Sequence, residues 1–597
     1  MTRLKIESMS EYTAISFAPV QGFIEKSRKL RDLFGASLIL SYLSSKLVEK
    51  VNSLDLEVIS PGCPNHPEGM PNRILIKGKF ERNDVQNTLL KEWQQILKIC
   101  REWIEENLGI PKEQYCWSQT EDQQGKQKGE WERWGSYTWE VFWGTGKSVK
   151  EAMEDLETRK LKRDWTAINW VGESSSLTGT DAIAWHKLGK EDKQPGRSLN
   201  ETEQQELKRF YHRLAWILDD PYARHHKARE RTRNPIPSDQ GLETYFSKIE
   251  KDHSGKEENI GGKFIASGER LSIPELVKRL VTLPYLAKKI GMTELDEGFK
   301  DINRKAGYWT GWFMGDGDKV GDKLQEIVKR NENDREKCVH ELKLFSYLMR
   351  KWGKGFKANK DLFSEGKGRV IYAGGDDFFG VLYSEETKTQ ETPEKVKPIE
   401  ALNWLLTLKQ QWAELQRTIE QELDLDFTYS VGFVWAGHQV PQRDILQHCR
   451  DAEKRAKSLG RDRVTMRVVF NSGQFVEWTC PWNYLHVLKN YRDRDGKTWG
   501  ETPNWTHIYN DWAQLKARHA VSLHETEAGD TDAYIALKLF DLYFKDRCSR
   551  SDNLKAVDQH YLKNNCKPIT GKNYSQVAFI EWIDGLVKVG WQLCSIS

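Results

Sequence analysis

Cysteine pairs at metal-binding or disulfide spacing are absent from this sequence. Its nine cysteines are scattered, odd in number and include no C-x-x-C pair. This pattern argues against a disulfide framework or a zinc ribbon, and it favours reduced thiols in a cytosol. Cys63 and His66 could supply two zinc ligands, but nothing nearby completes four. A loop is the better interpretation of that segment.

Long apolar runs and an excess of one charge are also missing. No stretch approaches the ~18–20 apolar residues of a membrane span, and the polar N-terminus lacks the apolar region of a signal peptide. The net charge is +3 with 30% charged residues, so bulk charge says little about partners. We therefore expect a cytoplasmic protein without a membrane partner, and its 597 residues predict several domains.

Two acidic strand ends are the most informative features present. Residues 368–384, GRVIYAGGDDFFGVLYS, predict a β-hairpin with the tip GGDD at 374–377. Residues 308–324, YWTGWFMGDGDKVGDKL, predict a strand that ends in DGD at 316–318. Because residues two apart share a face of a strand, pairing the stretches would bring three or four carboxylates to one edge. Such an edge suits a two-metal site, whereas the first stretch alone favours an ordinary hairpin turn.

The order of predicted elements indicates an α+β fold with two ferredoxin-like palm domains. Residues 1–164 predict strand–helix–strand–strand–helix–strand, and residues 305–475 repeat this order around the acidic stretches. Between them, residues 165–304 predict a mostly helical linking domain, and residues 476–597 predict a C-terminal helical bundle. The basic run RHHKARERTR at 224–233 is typical of a solvated helix face, with RNA backbone contact as the functional alternative.

An ordered set of motifs resembles the large, cyclase-like subunit of type III CRISPR effector complexes. The motifs are FAPVQGFIEKSRKLRDLFGASLILSYLS (17–44), MPNRILIK (70–77), the segment with Trp117 and Gln119, YTWEVFW (137–143), FIASGERLSIPELVKRL (264–280), FMGDGDKVGD (313–322), GGDD (374–377) and AEKRAKSLGRDRV (452–464). Each motif alone is a weak signal, but their order along most of the chain is a strong one.

The resemblance implies two palms facing each other, a linking domain and a C-terminal helical bundle. It places the chain in an RNA-guided antiviral complex with other type III subunits, guide RNA and target RNA. It also implies synthesis of cyclic oligoadenylate from ATP with Mg²⁺ or Mn²⁺ when a matching target RNA is held.

Two features depart from the family pattern. Many members begin with a metal-dependent HD nuclease domain, but this sequence starts at the first palm and contains no His-Asp dyad. We therefore expect no cleavage of single-stranded DNA. Members also commonly carry a four-cysteine zinc ribbon after the first palm. Here the corresponding segment, INWVGESSSLTG at 168–179, has the glycine-rich outline without cysteine, so we expect no structural zinc.

The second palm holds the predicted catalytic residues. Asp316, Asp376 and Asp377 are predicted to hold the metal ions, with Asp318 as a fourth candidate. The predicted nucleotide-binding residues of this palm are Gly317, Gly374, Gly375, Lys457, Lys454 and Arg461. For the basic residues among them, an ordinary solvated helix face is the alternative.

The first palm lacks an acidic pair and is predicted to bind an acceptor nucleotide without metals, where the two palms meet. Gln21, Arg28 and Ser37 are its candidate residues, with simple packing as the alternative for Ser37. Two other functions stay open at this point. One is a catalytically idle scaffold that organises guide and target RNA, and the other is a stand-alone nucleotidyl or diguanylate cyclase.

Overall fold

The chain forms two compact units in the computed structural model. The first comprises Met1–Asp301 and Arg330–Tyr347, and the second comprises Ile302–Lys329 and Leu348–Ser597. The structure describes residues 11–63, 69–117, 120–121, 127–162, 173–187, 199–219, 236–251, 264–266, 268–295, 299, 302, 306–360, 362–363, 367–384, 395–524, 530–544 and 559–595.

The first unit contains a four-stranded antiparallel sheet in the order β2-β3-β1-β6. Its elements are β1 (Tyr12–Ala18), α1 (Val20–Glu25), α2 (Leu30–Ser53), β2 (Glu57–Ser60), β3 (Arg73–Lys77), α3 (Arg82–Asn107), β4 (Thr120–Glu121), β5 (Gln127–Lys128), α4 (Glu130–Tyr137), β6 (Glu140–Gly146), α5 (Val149–Leu161), α6 (Glu201–Asp219), α7 (Asp239–Lys251), α8 (Ile273–Leu280) and α9 (Pro284–Ile290). The first strand lies between the third and the last strand of the sheet, so the predicted ferredoxin-like palm is confirmed.

Helix α2 forms the centre of this unit because its apolar residues recur at helical spacing. Leu33, Leu43 and Leu47 are fully buried along it. A Cβ atom at Gly35 would lie 1.8 Å from the backbone oxygen of Lys278 in α8. Only glycine therefore allows α2 and α8 to approach this closely.

A buried group of charges joins the start of α2 to α8. The Arg279 guanidinium lies 2.6 Å from Asp32 and 2.6 Å from Glu269, and all three side chains are at most 2% exposed. Burial alone would raise the pKa of both carboxyls, but the charge of Arg279 and its hydrogen bonds hold both pKa values below their usual range. Because Asp32 also accepts the backbone N–H groups of Arg28 and Lys29, this group fixes the turn into α2.

The second unit contains a six-stranded sheet in the order β12-β11-β10-β7-β9-β8. The elements that follow α9 are β7 (Thr310–Gly317), α10 (Val320–Arg330), α11 (Arg335–Ala358), β8 (Arg369–Ala373), β9 (Phe378–Leu382), α12 (Pro398–Leu423), β10 (Tyr429–Ala436), α13 (Gln442–Ser458), β11 (Arg463–Val469) and β12 (Phe475–Pro481). Strands β10, β7, β9 and β8 are antiparallel neighbours in the same ferredoxin-like order as the first sheet. The predicted second palm is confirmed, and β11 and β12 extend it.

The C-terminal part of the second unit is helical, as predicted. Its helices are α14 (Thr506–Ala517), α15 (Asp530–Tyr543), α16 (Gln559–Thr570) and α17 (Gln576–Cys594). The Trp582 indole on α17 donates to the Thr479 carbonyl of β12 at 3.0 Å. Arg463 donates to the Ile569 carbonyl at the end of α16 at 2.9 Å. The helices are thus anchored on the two added strands of the palm.

Some predictions concern residues outside the described part of the chain. These are His66, Gln119, the run 224–233 and the beginning of 168–179. The predicted domain boundaries at 164, 304 and 475 stay predictions. Among the described helices, none is long and apolar enough to cross a membrane.

Candidate active site

The GGDD stretch is the tip of a β-hairpin, as its sequence predicts. Strands β8 and β9 pair up to Ala373 and Phe378, and the Gly374 N–H donates to the Asp377 carbonyl at 3.0 Å. Gly375 has φ +149°, and in the described part of the chain no atom beyond its two sequence neighbours lies within 4 Å of where its Cβ would be. The tip therefore has a backbone that favours glycine and open space in front of it, which suits a close approach by a ligand.

The strand register brings the two acidic stretches together. β7 and β9 pair in antiparallel register up to Gly315 and Phe378, so the next positions, Asp316 and Asp377, stand opposite each other. Their carboxyl groups are close enough for Asp316 to raise the pKa of Asp377, and the Gly317 N–H donates to the Asp376 carbonyl at 3.2 Å. Three of the four predicted carboxylates thus lie at one edge of the sheet.

These neighbours change the acidity of Asp377. Enclosure of its carboxyl by protein atoms, the charge of Asp376 and the contact with Asp316 all raise its pKa well above the usual value. Because the residue as a whole is exposed, the two neighbouring carboxylates are the main cause of the raised pKa. Burial and the charges of Asp377 and Asp376 likewise raise the pKa of the Tyr372 phenol beside them.

Lys457 reaches this edge from α13. Its ammonium forms an ion pair with Asp316 and another with Glu453, one helical turn earlier, at 2.5 Å. Burial alone would lower the pKa of Lys457, but the charge of Asp316 and the hydrogen bonds to both carboxylates raise it above its usual value. The ammonium is thus firmly cationic and lies beside the acidic edge.

The other predicted nucleotide-binding residues do not join this group in the same way. Lys454 is exposed on α13, and Arg461 lies in the turn after that helix with φ +67°. Gln21, Arg28 and Ser37 belong to the first unit, where Gln21 and Arg28 are exposed and Ser37 is buried on α2. Their predicted roles stay predictions.

Asp318 has different hydrogen-bond partners from the other carboxylates. Asp318 directly follows β7, and because its N–H donates to the Thr428 carbonyl, the antiparallel pairing with β10 continues to this residue and keeps Asp318 on the face of Asp316. Its side chain is only 3% exposed and accepts hydrogen bonds from the Thr428 and Ser430 hydroxyls at 2.9 and 2.8 Å. This environment does not support the prediction of Asp318 as a fourth metal ligand.

The donor set of Asp316, Asp376 and Asp377 fits a hard divalent cation. All the donors are carboxylate oxygens, which Mg²⁺ and Mn²⁺ prefer, and the charges of Asp376 and Asp316 both act on Asp377. The crowding of like charges is the kind that a cation relieves. Within the described ranges, no three side chains of histidine, cysteine, aspartate or glutamate are already grouped as a ligand set. The three carboxylates therefore fit the cation by the type of their ligand atoms and by their place at one edge of the sheet.

Sequence reasoning missed Glu453 and the hydroxyls of Thr428 and Ser430. The spacing of Glu453 and Lys457, i and i+4 on a helix, was an available signal for their ion pair. Thr428 precedes β10 and Ser430 lies within it, so the two hydroxyls share a strand face, but nothing in the sequence indicates that Asp318 is their partner.

Gly317 is required for packing, which gives a first testable prediction. A methyl group there would lie 2.5 Å from the Phe427 ring and 3.0 Å from the Asp376 Cβ. Gly317→Ala should lower the free energy of unfolding by about 1–3 kcal/mol through overpacking, as measured by urea denaturation. Gly321→Ala is the matched control, because no atom lies within 4 Å of its Cβ position. An equal loss in both variants would contradict the packing argument.

Two family models match the sequence. Residues 309–465 match the model for the second palm domain of Cas10/Cmr2. Residues 12–98 match the model for the N-terminal part of the CRISPR-associated protein Cmr2. The first match contains both acidic strand ends and Lys457, and the second begins at β1 and ends within α3. No curated protein matches the sequence.

Solved structures with a similar arrangement come from type III complexes. One is a Csm1–Csm4 cassette in complex with pppApApA, at 12% identity and TM-score 0.45, covering 98% of this chain and 70% of that chain. Another is the apo Csm1–Csm4 cassette, at 13% identity and TM-score 0.44, covering 100% and 72%. A third is a type III-B Cmr-β structure in the apo state, at 10% identity and TM-score 0.43, covering 97% and 82%. The likeness is distant.

Proposed function

We propose that this chain, a Cas10-like large subunit of type III CRISPR effector complexes, synthesises cyclic oligoadenylate from ATP at the acidic edge of its second palm. The observation that carries the proposal is the β7–β9 register, which sets Asp316 opposite Asp377 beside the open glycine tip. The Lys457 ammonium, which pairs with Asp316 at the same edge, would bind phosphate oxygens of a metal-bound triphosphate.

Each part of the edge has a distinct role in this proposal. Asp316, Asp376 and Asp377 would hold Mg²⁺ or Mn²⁺ through their carboxylate oxygens. A bound ion would lower the pKa of the attacking ribose hydroxyl and neutralise charge on the leaving pyrophosphate. Lys457 would contact triphosphate oxygens, with Glu453 limiting the positions its long side chain can take. The Gly374-Gly375 backbone would lie against the nucleotide.

The reaction proposed is 3′–5′ nucleotidyl transfer. The 3′-oxygen of one nucleotide forms a bond to the α-phosphorus of the next, the bond from that phosphorus to the β-bridging oxygen breaks, and pyrophosphate leaves. The hydroxyl proton passes to solvent. The chain's own contribution is to orient the triphosphate in line with the hydroxyl, which is the main demand of phosphoryl-group chemistry.

The proposed partners are other type III subunits, guide RNA, target RNA and ATP. Csm1–Csm4 cassettes, which are distantly similar to this chain, are described in complex with one ATP and with cA4. Gln21, Arg28 and Ser37 of the first palm remain the residues proposed for the acceptor nucleotide, because that palm carries no acidic pair in its matching strands.

The test is an assay of the assembled complex with ATP, Mg²⁺ and target RNA, with product analysis by mass spectrometry. Cyclic oligoadenylate that depends on target RNA is the expected product. Absence of product under all conditions would indicate that the chain is a catalytically idle scaffold. Cyclic di-GMP formed without RNA would identify it as a stand-alone cyclase. Either of these results would overturn the proposal.

A further inference from the structure

Asp318 lies two residues beyond Asp316 but has a different set of partners. Its carboxylate accepts three hydrogen bonds, from the Thr428 hydroxyl at 2.9 Å, the Ser430 hydroxyl at 2.8 Å and the backbone N–H of Asp462 at 2.9 Å. Its own N–H donates to the Thr428 carbonyl at 2.8 Å. Three separate parts of the second unit, the end of β7, the start of β10 and the turn before β11, therefore meet at one carboxylate.

The turn held by Asp318 has an unusual backbone. Gly460, Arg461 and Asp462 all have positive φ, at +120°, +67° and +49°. Two of these residues carry side chains, which disfavour this region, so the turn needs fixed contacts to keep its shape. The Asp462 N–H is held by Asp318, and the Asp462 carbonyl accepts the Trp482 N–H at 3.1 Å.

This turn directly follows the helix that carries Lys457. Helix α13 ends at Ser458, and the turn runs from there into β11. Lys457 lies in the last helical turn and pairs with Asp316 on β7. Lys457 and β7 are thus linked in two ways. The Lys457 side chain pairs with Asp316, and Asp318, two residues further along, holds the turn that follows the helix of Lys457.

We propose that Asp318 is a positioning residue of the site and not a metal ligand. Its carboxylate fixes the turn between α13 and β11, and thereby the place of Lys457 relative to Asp316. The catalytic consequence rests on the proposed function, because it assumes that Lys457 binds the triphosphate of ATP. The placement of the turn does not depend on that assumption.

The test compares Asp318→Asn with Asp376→Asn in the assembled complex. An asparagine at 318 keeps the size but offers one acceptor oxygen, so it cannot accept all three donors. The affinity for Mn²⁺ without nucleotide can be measured by electron paramagnetic resonance. We expect the affinity of Asp318→Asn to lie within about threefold of wild type and that of Asp376→Asn to be more than about tenfold weaker. Loss of Mn²⁺ binding in Asp318→Asn equal to that in Asp376→Asn would overturn the proposal.

A second readout separates positioning from simple structural support. Asp318→Asn should raise the KM for ATP about tenfold with a smaller change in kcat, because Lys457 would no longer meet the triphosphate. Ser430→Ala removes one of the three donors and should shift KM in the same direction by less. Thr407→Ala, which removes a surface hydroxyl on α12, is the control that should change neither value. A folded Asp318→Asn protein with wild-type KM would overturn the proposal.

Failure of the proposed function gives a different result. If the wild-type complex forms no cyclic oligoadenylate, the affinity for a non-hydrolysable ATP analogue replaces KM as the readout. Weaker analogue binding with intact Mn²⁺ binding in Asp318→Asn would still support the positioning role. Unchanged analogue binding in that variant would overturn it.

Discussion

Replacing Asp376 and Asp377 together by asparagine should lower cyclic oligoadenylate formation by at least about 100-fold. Both carboxylates belong to the donor set at the end of the β7–β9 ladder, and the amides that replace them carry no charge. Asp316 alone would then face the metal-bound triphosphate. The measurement is product formed per unit time by the assembled complex with ATP, Mg²⁺ and target RNA.

The same double variant should remain folded and be at least as stable as wild type. The raised pKa of Asp377 reports that its charged form is disfavoured by its surroundings, and an amide removes that penalty. Thermal unfolding of the variant checks this expectation. Glu414→Gln removes one charge from an exposed position on α12 and is the control for a general charge effect. Undiminished product from a folded double variant would show that the chemistry occurs elsewhere.

The fold was predictable from the sequence because the palm strands and helices carry strong local patterns. The alternation in YWTGWFMGDG and the glycine-rich tip at GGDD indicate a strand and a hairpin without any tertiary information. The pairing of β7 with β9 is different, since it joins stretches that lie far apart in the chain. It followed only from the element order of a ferredoxin-like palm.

Asp318 shows where pattern reasoning reached its limit. The two-residue alternation puts it on the strand face of Asp316, and the structure keeps it there because the Asp318 N–H continues the pairing of β7 with β10. The alternation gives the face of a side chain but not the hydrogen-bond partners that occupy its carboxylate. Those partners, Thr428, Ser430 and Asp462, come from the residue before β10, from β10 itself and from the turn before β11.

The buried charges of the first unit could not be found from the sequence either. Asp32 and Arg279 are separated by 247 positions, and no local pattern connects them. Each residue taken alone is typical of a solvated helix. Their burial makes them sensitive to substitution, because a charge left without a partner in the interior costs several kcal/mol.

Arg279→Met should therefore lower the free energy of unfolding of the first unit by about 3–5 kcal/mol. Asp32 and Glu269 would each lose a partner at 2.6 Å while staying buried. Hydrogen exchange resolved by mass spectrometry can follow peptides of α2 and α8, with peptides of the second palm as an internal reference. Protection should fall around α2 and stay unchanged in β7 and β9.

Arg28→Met provides the matched control for this substitution. Arg28 lies 3.9 Å from the same Glu269, but its side chain is 61% exposed. Because solvent screens an exposed ion pair, its removal should cost less than about 1 kcal/mol. Equal losses in the two variants would mean that burial does not set the energy of the cluster. Full protection of α2 in Arg279→Met would show that Asp32 and Glu269 find other partners.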